Sequence, residues 1–549
     1  MKNNSYFLSG GGGRRLCPDS AAGLIVAFLI TFAFVNMVFP VGFLAGTADF
    51  WQTQVDDITQ YIAGFNAYFI EPWHYPLFKI ESLDYPSSTR TTFVDAIPIY
   101  ALLLKIFVPD RAYPFNPFGF WVYFCFFMNA FSAWLLLRSL NLKSWIALTS
   151  LVVFLIISPS LLARLGHISL MSHWLILISI VLYVRSTSRP YQLAQWCIIL
   201  ALTFYINLYI FAMVYSIYIA TYLSGWRART PVQNLMQLAL PTGFILASLF
   251  VTILPLGGSS VIPEGGWGLY SMNALAPFTG GKLVALSYTQ VEGQGEGFNY
   301  LGLGVLLLFS YALYLNWKCK SGYFKRHIHV LFLMILFTVY SLSYRIYVGS
   351  AHVANIFYPS FLDPLLTQFR ASGRFFWPVA YAIIIFSVVS VIRLGGRRGA
   401  VVLAVLLFVQ IFDLSDRVRH FSAHVNSEGR KVLDTQALDE KLDVFTHIYY
   451  YPKFRCPTAI SPHELLLPMM LYAATHEKNF NTGYIARNAA SCDTTAHEIA
   501  ASDASSSAYL FVKQDYEGLD VRDFFSPKDN INCEKYLSFI FCGSKDTAQ

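Results

Sequence analysis

Apolar residues in this chain come in long unbroken runs, not in the alternation of a half-buried strand or the one-sided stripe of a soluble helix. The runs fall at 21–45, 119–138, 145–162, 169–185, 192–207, 208–224, 233–255, 299–317, 329–347, 375–393 and 400–416. As helices these are of the length that crosses about 30 Å of hydrocarbon, and a helix apolar on every side needs lipid or protein around it. The stretch 192–224 is too long for one helix and is divided at Asn207. The pattern predicts an all-α polytopic membrane bundle of about eleven transmembrane helices. After residue 416 the runs shorten. Segments 447–451, 508–513 and 537–542 read as strands and 464–474 as a helix, which predicts a small α/β extracytoplasmic C-terminal domain over 417–549.

Two further elements fall between the first two runs. Residues 54–69 have helical periodicity, and 92–108 are apolar enough for a span but contain Asp95, Pro98 and Lys105. Those groups are costly or disruptive in a lipid-exposed helix. Residues 92–108 are therefore read as a juxtamembrane helix within a first external loop, 46–118.

Composition agrees with the pattern: 55% hydrophobic residues, 13% charged and a mean hydropathy of +0.48 exclude an ordinary soluble globule. Charge orients the bundle. With the N-terminus inside, the inner segments hold Lys2, Arg14, Arg15, Arg138, Lys143, Arg185, Arg189, Arg227, Arg229, Lys318, Lys320, Lys325, Arg326, Arg393, Arg397 and Arg398, against Asp19 alone among acids. This is the positive-inside rule, and a full span at 92–108 would invert it. The net charge of +7 resides in these loops, so it does not argue for a nucleic-acid partner. Residues 1–20 read as a cytoplasmic tail. Their Gly10–Gly13 run precedes Arg14-Arg15 with no Gly-Lys-Ser/Thr, so it is not a phosphate loop. The run 21–45 is too long for the apolar core of a signal peptide. The expected location is a bacterial inner membrane, with the C-terminal domain in the periplasm.

Of eight cysteines, Cys456, Cys492, Cys533 and Cys542 lie in the C-terminal domain. An even set outside the cytoplasm predicts one or two disulfides, with free thiols and zinc as the competing readings. No Cys-x-x-Cys pair or paired-histidine spacing supports a metal, so no cofactor is expected.

Candidate chemistry collects on the outer side. Asp49 stands where the chain leaves the first span. A sugar on a polyprenyl phosphate already has a good leaving group, so its transfer needs mainly a base for the acceptor hydroxyl and cations for the phosphate. Asp49 reads either as that base or as a loop acid at a helix end; Asp56 and Asp57 read as a solvated helix face. Trp73, His74 and Tyr85 belong to a proline-pinned aromatic loop suited to sugar faces or to the membrane interface. Asp95, in an apolar setting, needs a partner, structural or catalytic. Arg164, His167 and His173 fall at the second external turn, with His167 a hydrogen-bonding candidate for sugar or phosphate. Arg370 and Arg374, four apart beside Phe375-Phe376-Trp377, are placed to hold a lipid phosphate, or else to snorkel at the interface. The segment 256–298, with Glu264, Glu292 and Glu296, reads as an external lid loop.

Asp49, Trp73-His74-x-Pro76-Leu77, Tyr85-Pro86, Asp95-x-Ile97-Pro98 and the stretch from Arg370 to Trp377 resemble the C-type (GT-C) membrane glycosyltransferases. Within that superfamily, residues 40–380 look like an uncharacterised bacterial family of membrane proteins. The acidic pair usual in the first loop, Asp-x-Asp or Asp-Glu, is absent around Asp49, which leaves a single carboxylate and no metal motif. The resemblance implies inverting transfer from a polyprenyl-phosphate-linked sugar to an extracytoplasmic glycolipid, polysaccharide or protein, with Asp49 as base and Arg370 or Arg374 on the donor phosphate. A polysaccharide polymerase or ligase using a pyrophosphate-linked glycan is one alternative. A lipid-linked sugar flippase or transporter is another, but the internal repeats and broken helices expected of a transporter are not seen in the sequence.

Overall fold

Every apolar run contains a helix in the computed structural model, which describes residues 17–254, 265–286, 291–487, 491–525 and 530–544. The Gly10–Gly13 tail and Glu264 lie outside the described residues. Among the described residues, seven stretches are long and apolar enough to cross a membrane: Ala21–Val38, Phe118–Ser139, Trp145–Leu162, Ile168–Ser186, Leu208–Ala228, Pro231–Thr252 and Ser372–Asp413. Leu193–Ile206, Leu303–Lys318 and Ile328–Leu342 are shorter apolar helices beside them. The chain is a multi-pass membrane protein. Asn207 separates two helices as expected, its side-chain oxygen accepting from the amides of Tyr209 (2.9 Å) and Ile210 (3.3 Å) as an N-cap.

The last two runs form one helical stretch, Trp377–Asp413, broken at Gly396 (φ 56°, ψ −135°), a conformation glycine adopts without steric cost. The chain reverses there. Asn299 donates to the Gly373 carbonyl (2.9 Å) and Gln410 to the Leu301 carbonyl (2.9 Å), so residues 373 and 410 share one end of the bundle. The stretch is thus an antiparallel hairpin whose open end faces the loops described next.

Between the first membrane helix, α1 (Ala21–Val38), and the second the chain builds α2 (Asp57–Ile70) and α3 (Pro98–Phe107), with the short antiparallel pair β1 (Lys79–Ile80) and β2 (Thr89–Arg90). Helix α3 starts on a proline at its first position, where a missing N–H costs nothing. It buries Pro98, Tyr100 and Ala101 and exposes Leu103, Ile106 and Phe107. Lys105 turns inward, donating to the Tyr68 and Glu71 carbonyls (2.6 Å each), and so caps the end of α2. Burial lowers its pKa to about 8.

Strands β3 (Arg345–Val348) and β4 (Ala351–Asn355) form an exposed hairpin. The C-terminal region adds β5 (His447–Tyr451), β6 (Asn479–Phe480), β7 (Ser507–Val512), β8 (Ile531–Tyr536) and β9 (Phe539–Ser544) in one sheet, ordered β6-β5-β7-β9-β8. β5 is parallel to both neighbours and β9 antiparallel to both of its own. Disulfides join Cys456 to Cys492 and Cys533 to Cys542, using the full set of cysteines from this region.

The sheet does not stand apart from the 46–118 loop. Phe480 donates to the Ser82 carbonyl (2.7 Å) and accepts from the Tyr85 amide (3.0 Å), which covers the β6 edge that would otherwise be unpaired. Gln60 reaches the Tyr484 carbonyl (2.7 Å), and the Ala486 amide donates to the Phe93 carbonyl (2.8 Å). Gln54 accepts from the Val432 and Leu433 amides (2.8 and 2.9 Å). Loop and sheet form one packed layer over the end of the bundle.

Candidate functional site

Under that layer is a cavity of about 390 Å³. The start of α2 contributes Asp57 and Tyr61. Asp95 lies in the turn before α3, the 160s turn gives His167, the loop after β4 gives Arg370 and Arg374, and the sheet region gives Arg455 and Arg487. Phe204, Ile206, Leu208 and Phe369 add an apolar side. Asp95 and Ile97 are both in left-handed backbone (φ 55° and 50°), a strained arrangement of the kind that clusters at functional sites.

Glu296 organises the charges behind this surface. Its Oε2 accepts from Arg164 (2.5 Å) and from two nitrogens of Arg374 (3.1 and 2.7 Å). Its Oε1 lies 3.5 Å from His167 Nε2, and His167 Nδ1 lies 3.4 Å from Asp57 Oδ2. A continuous line thus runs from two arginines through Glu296 and His167 to Asp57. Burial alone would raise the Glu296 pKa, but Arg374, the His167 hydrogen bond and Arg164 outweigh it and hold the carboxyl well below the usual range. The Tyr61 phenol is pushed up by burial and by Asp95, and contacts Ser169 at 2.8 Å. Arg374 also stacks over the Tyr209 ring at 4.8 Å.

Glycine permits this assembly. A Cβ on Gly373 would come within 2.6 Å of Gly297 Cα, and one on Gly297 within 2.3 Å of the Ser271 carbonyl oxygen. Neither distance is sterically allowed, so this backbone approach, which sets Glu296 against Arg374, is open only to glycine.

We expect Glu296→Gln to destabilise the protein by about 1–2 kcal/mol, since it leaves Arg164 and Arg374 without an anionic partner. The sign with pH follows from the lowered pKa. Glu296 contributes stability above the unfolded carboxylate value of about 4.3 and loses it as pH falls toward its own lower value. The gap in thermal unfolding between parent and variant should therefore narrow from about pH 5 to pH 3.

Of the residues singled out in the sequence, Arg370, Arg374, His167 and Asp95 line this cavity; Asp49, Trp73, His74 and Tyr85 do not. Asp49 is exposed on the short turn Asp49–Gln52, whose buried positions go to Phe50 and Trp51. Convergence of Asp49 with the arginines is therefore not found, and Asp57, read from sequence as a solvated face, takes that place. Trp73 is exposed beside Lys105. His74 lies between Glu71 (3.5 Å) and Glu81 (3.6 Å). Tyr85 stacks on His447 with ring centres 4.8 Å apart. Arg370 and Arg374, although four apart, do not share a helical face, because a 3₁₀ turn spans Ser372–Phe376. Arg370 stacks on Tyr270 (5.3 Å), whereas Arg374 turns to Glu296. His173 is buried with its Nδ1 on the Tyr381 hydroxyl (2.6 Å). Tyr61, Tyr209, Arg455 and Arg487 had no motif to announce them. Among the described residues, no group of three His, Cys, Asp or Glu side chains is placed to hold a metal.

Among solved structures, the chain is similar to the apo crystal structure of the Archaeoglobus fulgidus oligosaccharyltransferase, with 11% identity and a TM-score of 0.40. The alignment covers 84% of this chain and 64% of that one. No curated protein matches the sequence. Residues 437–543 match the DUF6311 C-terminal domain. Residues 28–415 match the domain of unknown function DUF6311, and across bundle and loops alike the chain belongs to that family.

Proposed function

We propose that this protein is a membrane glycosyltransferase that moves a sugar from a polyprenyl-phosphate donor to a hydroxyl of an extracytoplasmic acceptor, with inversion. The observation that carries the reading is one cavity lined by Arg370 and Arg374, by Asp57 and Asp95, and by an apolar side. The sequence resemblance to C-type glycosyltransferases points the same way.

In this reading Arg370 holds the donor phosphate, and Arg374, tied to Glu296, shapes that subsite. The acceptor oxygen bonds to the anomeric carbon as the bond from that carbon to the phosphate oxygen breaks. Asp57 takes the hydroxyl proton, and the electron pair leaves with the polyprenyl phosphate, whose growing charge the guanidinium stabilises. Phe204, Ile206, Leu208 and Phe369 form the side from which a prenyl chain arrives. In this reading the cavity lies on the periplasmic side of a bacterial inner membrane, which the positive-inside pattern of the loops supports.

The test uses purified protein in liposomes with polyprenyl-phosphate sugars carrying a radiolabel, plus extracted envelope glycans. The expected result is label on a glycan and stoichiometric release of polyprenyl phosphate. Turnover of pyrophosphate-linked glycans alone would replace this reading with a polymerase or ligase. Movement of intact lipid-linked sugar between leaflets, without transfer, would replace it with a flippase.

A further inference from the structure

A second cavity, of about 450 Å³, lies where the helical stretch Trp377–Asp413 ends and the helix Ser415–Val425 begins. Lys282, Arg417 and His420 line it together with Asp416, Phe298 and Leu286. It shares no lining residue with the site described above.

The loop that forms one wall is fixed to the helix end. The Lys282 amide donates to the Asp413 carbonyl (2.8 Å), the Leu283 amide to Asp413 Oδ1 (2.9 Å) and the Leu286 amide to Thr279 Oγ1 (2.7 Å). A Cβ on Gly281 would come within 2.4 Å of Asp413 Oδ1, so this approach is open only to glycine. Arg417 is held by neutral groups: its Nε donates to the Gly280 carbonyl (2.7 Å), and its guanidinium lies 4.1 Å from the centre of the Phe298 ring. Lys282 Nζ lies 5.0 Å over the Phe412 ring.

Two acids belong to the same corner. Asp413 is buried, and its Oδ2 accepts from the Tyr300 hydroxyl (2.7 Å) and the Leu303 amide (2.9 Å). Asp416 lies 3.7 Å from Lys282 and 3.4 Å from Arg419. With both acids set against Lys282, Arg417 and Arg419, the corner keeps a positive charge. The surface that leads to it is apolar. Val401, Val405, Phe408 and Phe412 recur at helical spacing and are all exposed, a single stripe that ends beneath Lys282. Leu283 and Leu286 are exposed at the rim. On a membrane helix such a stripe is a surface for acyl chains, and a basic pocket at its end stands at the depth of a lipid headgroup.

We infer that this pocket binds the phosphate of an anionic glycerophospholipid whose acyl chains lie along the 401–412 stripe. The inference does not depend on the transfer reaction proposed above. Snorkelling of Lys282 and Arg417 alone would serve every phospholipid equally, so preference for an anionic headgroup is the discriminating property.

Delipidated full-length protein in a neutral detergent is titrated with dioleoyl-phosphatidylglycerol, dioleoyl-phosphatidylcholine and glycerol 3-phosphate, and occupancy is read by native mass spectrometry. Phosphatidylglycerol should bind about tenfold more tightly than phosphatidylcholine, and glycerol 3-phosphate, which has no acyl chains, far more weakly than phosphatidylglycerol. Lys282→Gln and Arg417→Gln should each weaken phosphatidylglycerol by about tenfold and leave phosphatidylcholine unchanged, the effect of losing one charge-assisted hydrogen bond. Lys282→Arg, which keeps the charge, should retain the preference. Thermal unfolding of each variant shows that the fold is kept; if Arg417→Gln does not fold, the more exposed Lys282 carries the test.

The inference is overturned if the two phospholipids bind alike, or if the glutamine variants bind phosphatidylglycerol as the parent does. Binding of glycerol 3-phosphate as tight as that of phosphatidylglycerol would make this a site for soluble anions and overturn it too. It also fails if Arg370→Ala abolishes phosphatidylglycerol binding while Lys282→Gln and Arg417→Gln do not, since the lipid then occupies the larger cavity.

Discussion

Asp57→Asn should reduce glycosyl transfer by about 10² to 10⁴, the usual effect of losing a general base. Asn keeps the size of the side chain and an oxygen toward His167, so the 3.4 Å contact can be retained in weaker form. Asp57 occupies the first turn of α2, where the macrodipole favours a negative charge. That stabilisation, with the partly exposed His167 pair, is worth about 1 kcal/mol or less, so expression and unfolding should change little. Initial transfer rates in liposomes, read beside thermal unfolding, separate the two effects. Asp95→Asn is the natural control, since Asp95 lines the same cavity. If that variant is inactive and Asp57→Asn is not, the base is Asp95. A dead Asp49→Asn beside an active Asp57→Asn would restore the residue favoured by sequence and move the chemistry out of this cavity.

Arg370→Ala should weaken binding of a polyprenyl-phosphate sugar by about 2–5 kcal/mol, the range for truncating one side of a charge pair. Arg370 is half-buried, which places the effect near the lower end, roughly 30-fold in Kd. Lysine should restore only part of it, because an ammonium lacks the planar two-pronged donor that fits a phosphate. Arg374→Ala should look different, since it removes one of the partners of Glu296 and lowers stability together with binding. Calorimetric titration of donor and a melting curve for each variant distinguish them. Equal donor affinity in parent and Arg370→Ala would make Arg370 an interfacial anchor.

The bundle was legible in the sequence because lipid leaves backbone polar groups no partner but each other, so membrane helices appear as apolar runs. Asp95 and Lys105 likewise mark 92–108 in the sequence as too costly for a lipid-exposed span, and Lys105 turns in to cap α2. The site was harder to read. Nearness to the end of α1 favours Asp49 in the sequence, but Trp51 folds back to donate to the Phe43 carbonyl (3.0 Å). Burying Phe50 and Trp51 leaves Asp49 outside. Glu296 stood out only as one acid of a glycine-rich segment; what gives it a partner is the packing of Gly297 on Gly373, a contact that no local pattern encodes. Arg455 and Arg487 reach the cavity only because the sheet docks on a loop made hundreds of residues earlier.

That docking sets a timetable for biogenesis. The bond from Gln60 to Tyr484 spans 424 positions, and that from Gln54 to Leu433 spans 379. At about 5–20 residues per second, a ribosome needs roughly 20 to 85 s to supply the partner of Gln60. Through that interval the 46–118 loop lacks the surface that covers it, and its unfinished edge is open to proteases and to wrong pairings. One of the earliest loops to be made is therefore among the last to fold, and a chain truncated before residue 437 should be cleared by quality control even though every membrane helix is already in place.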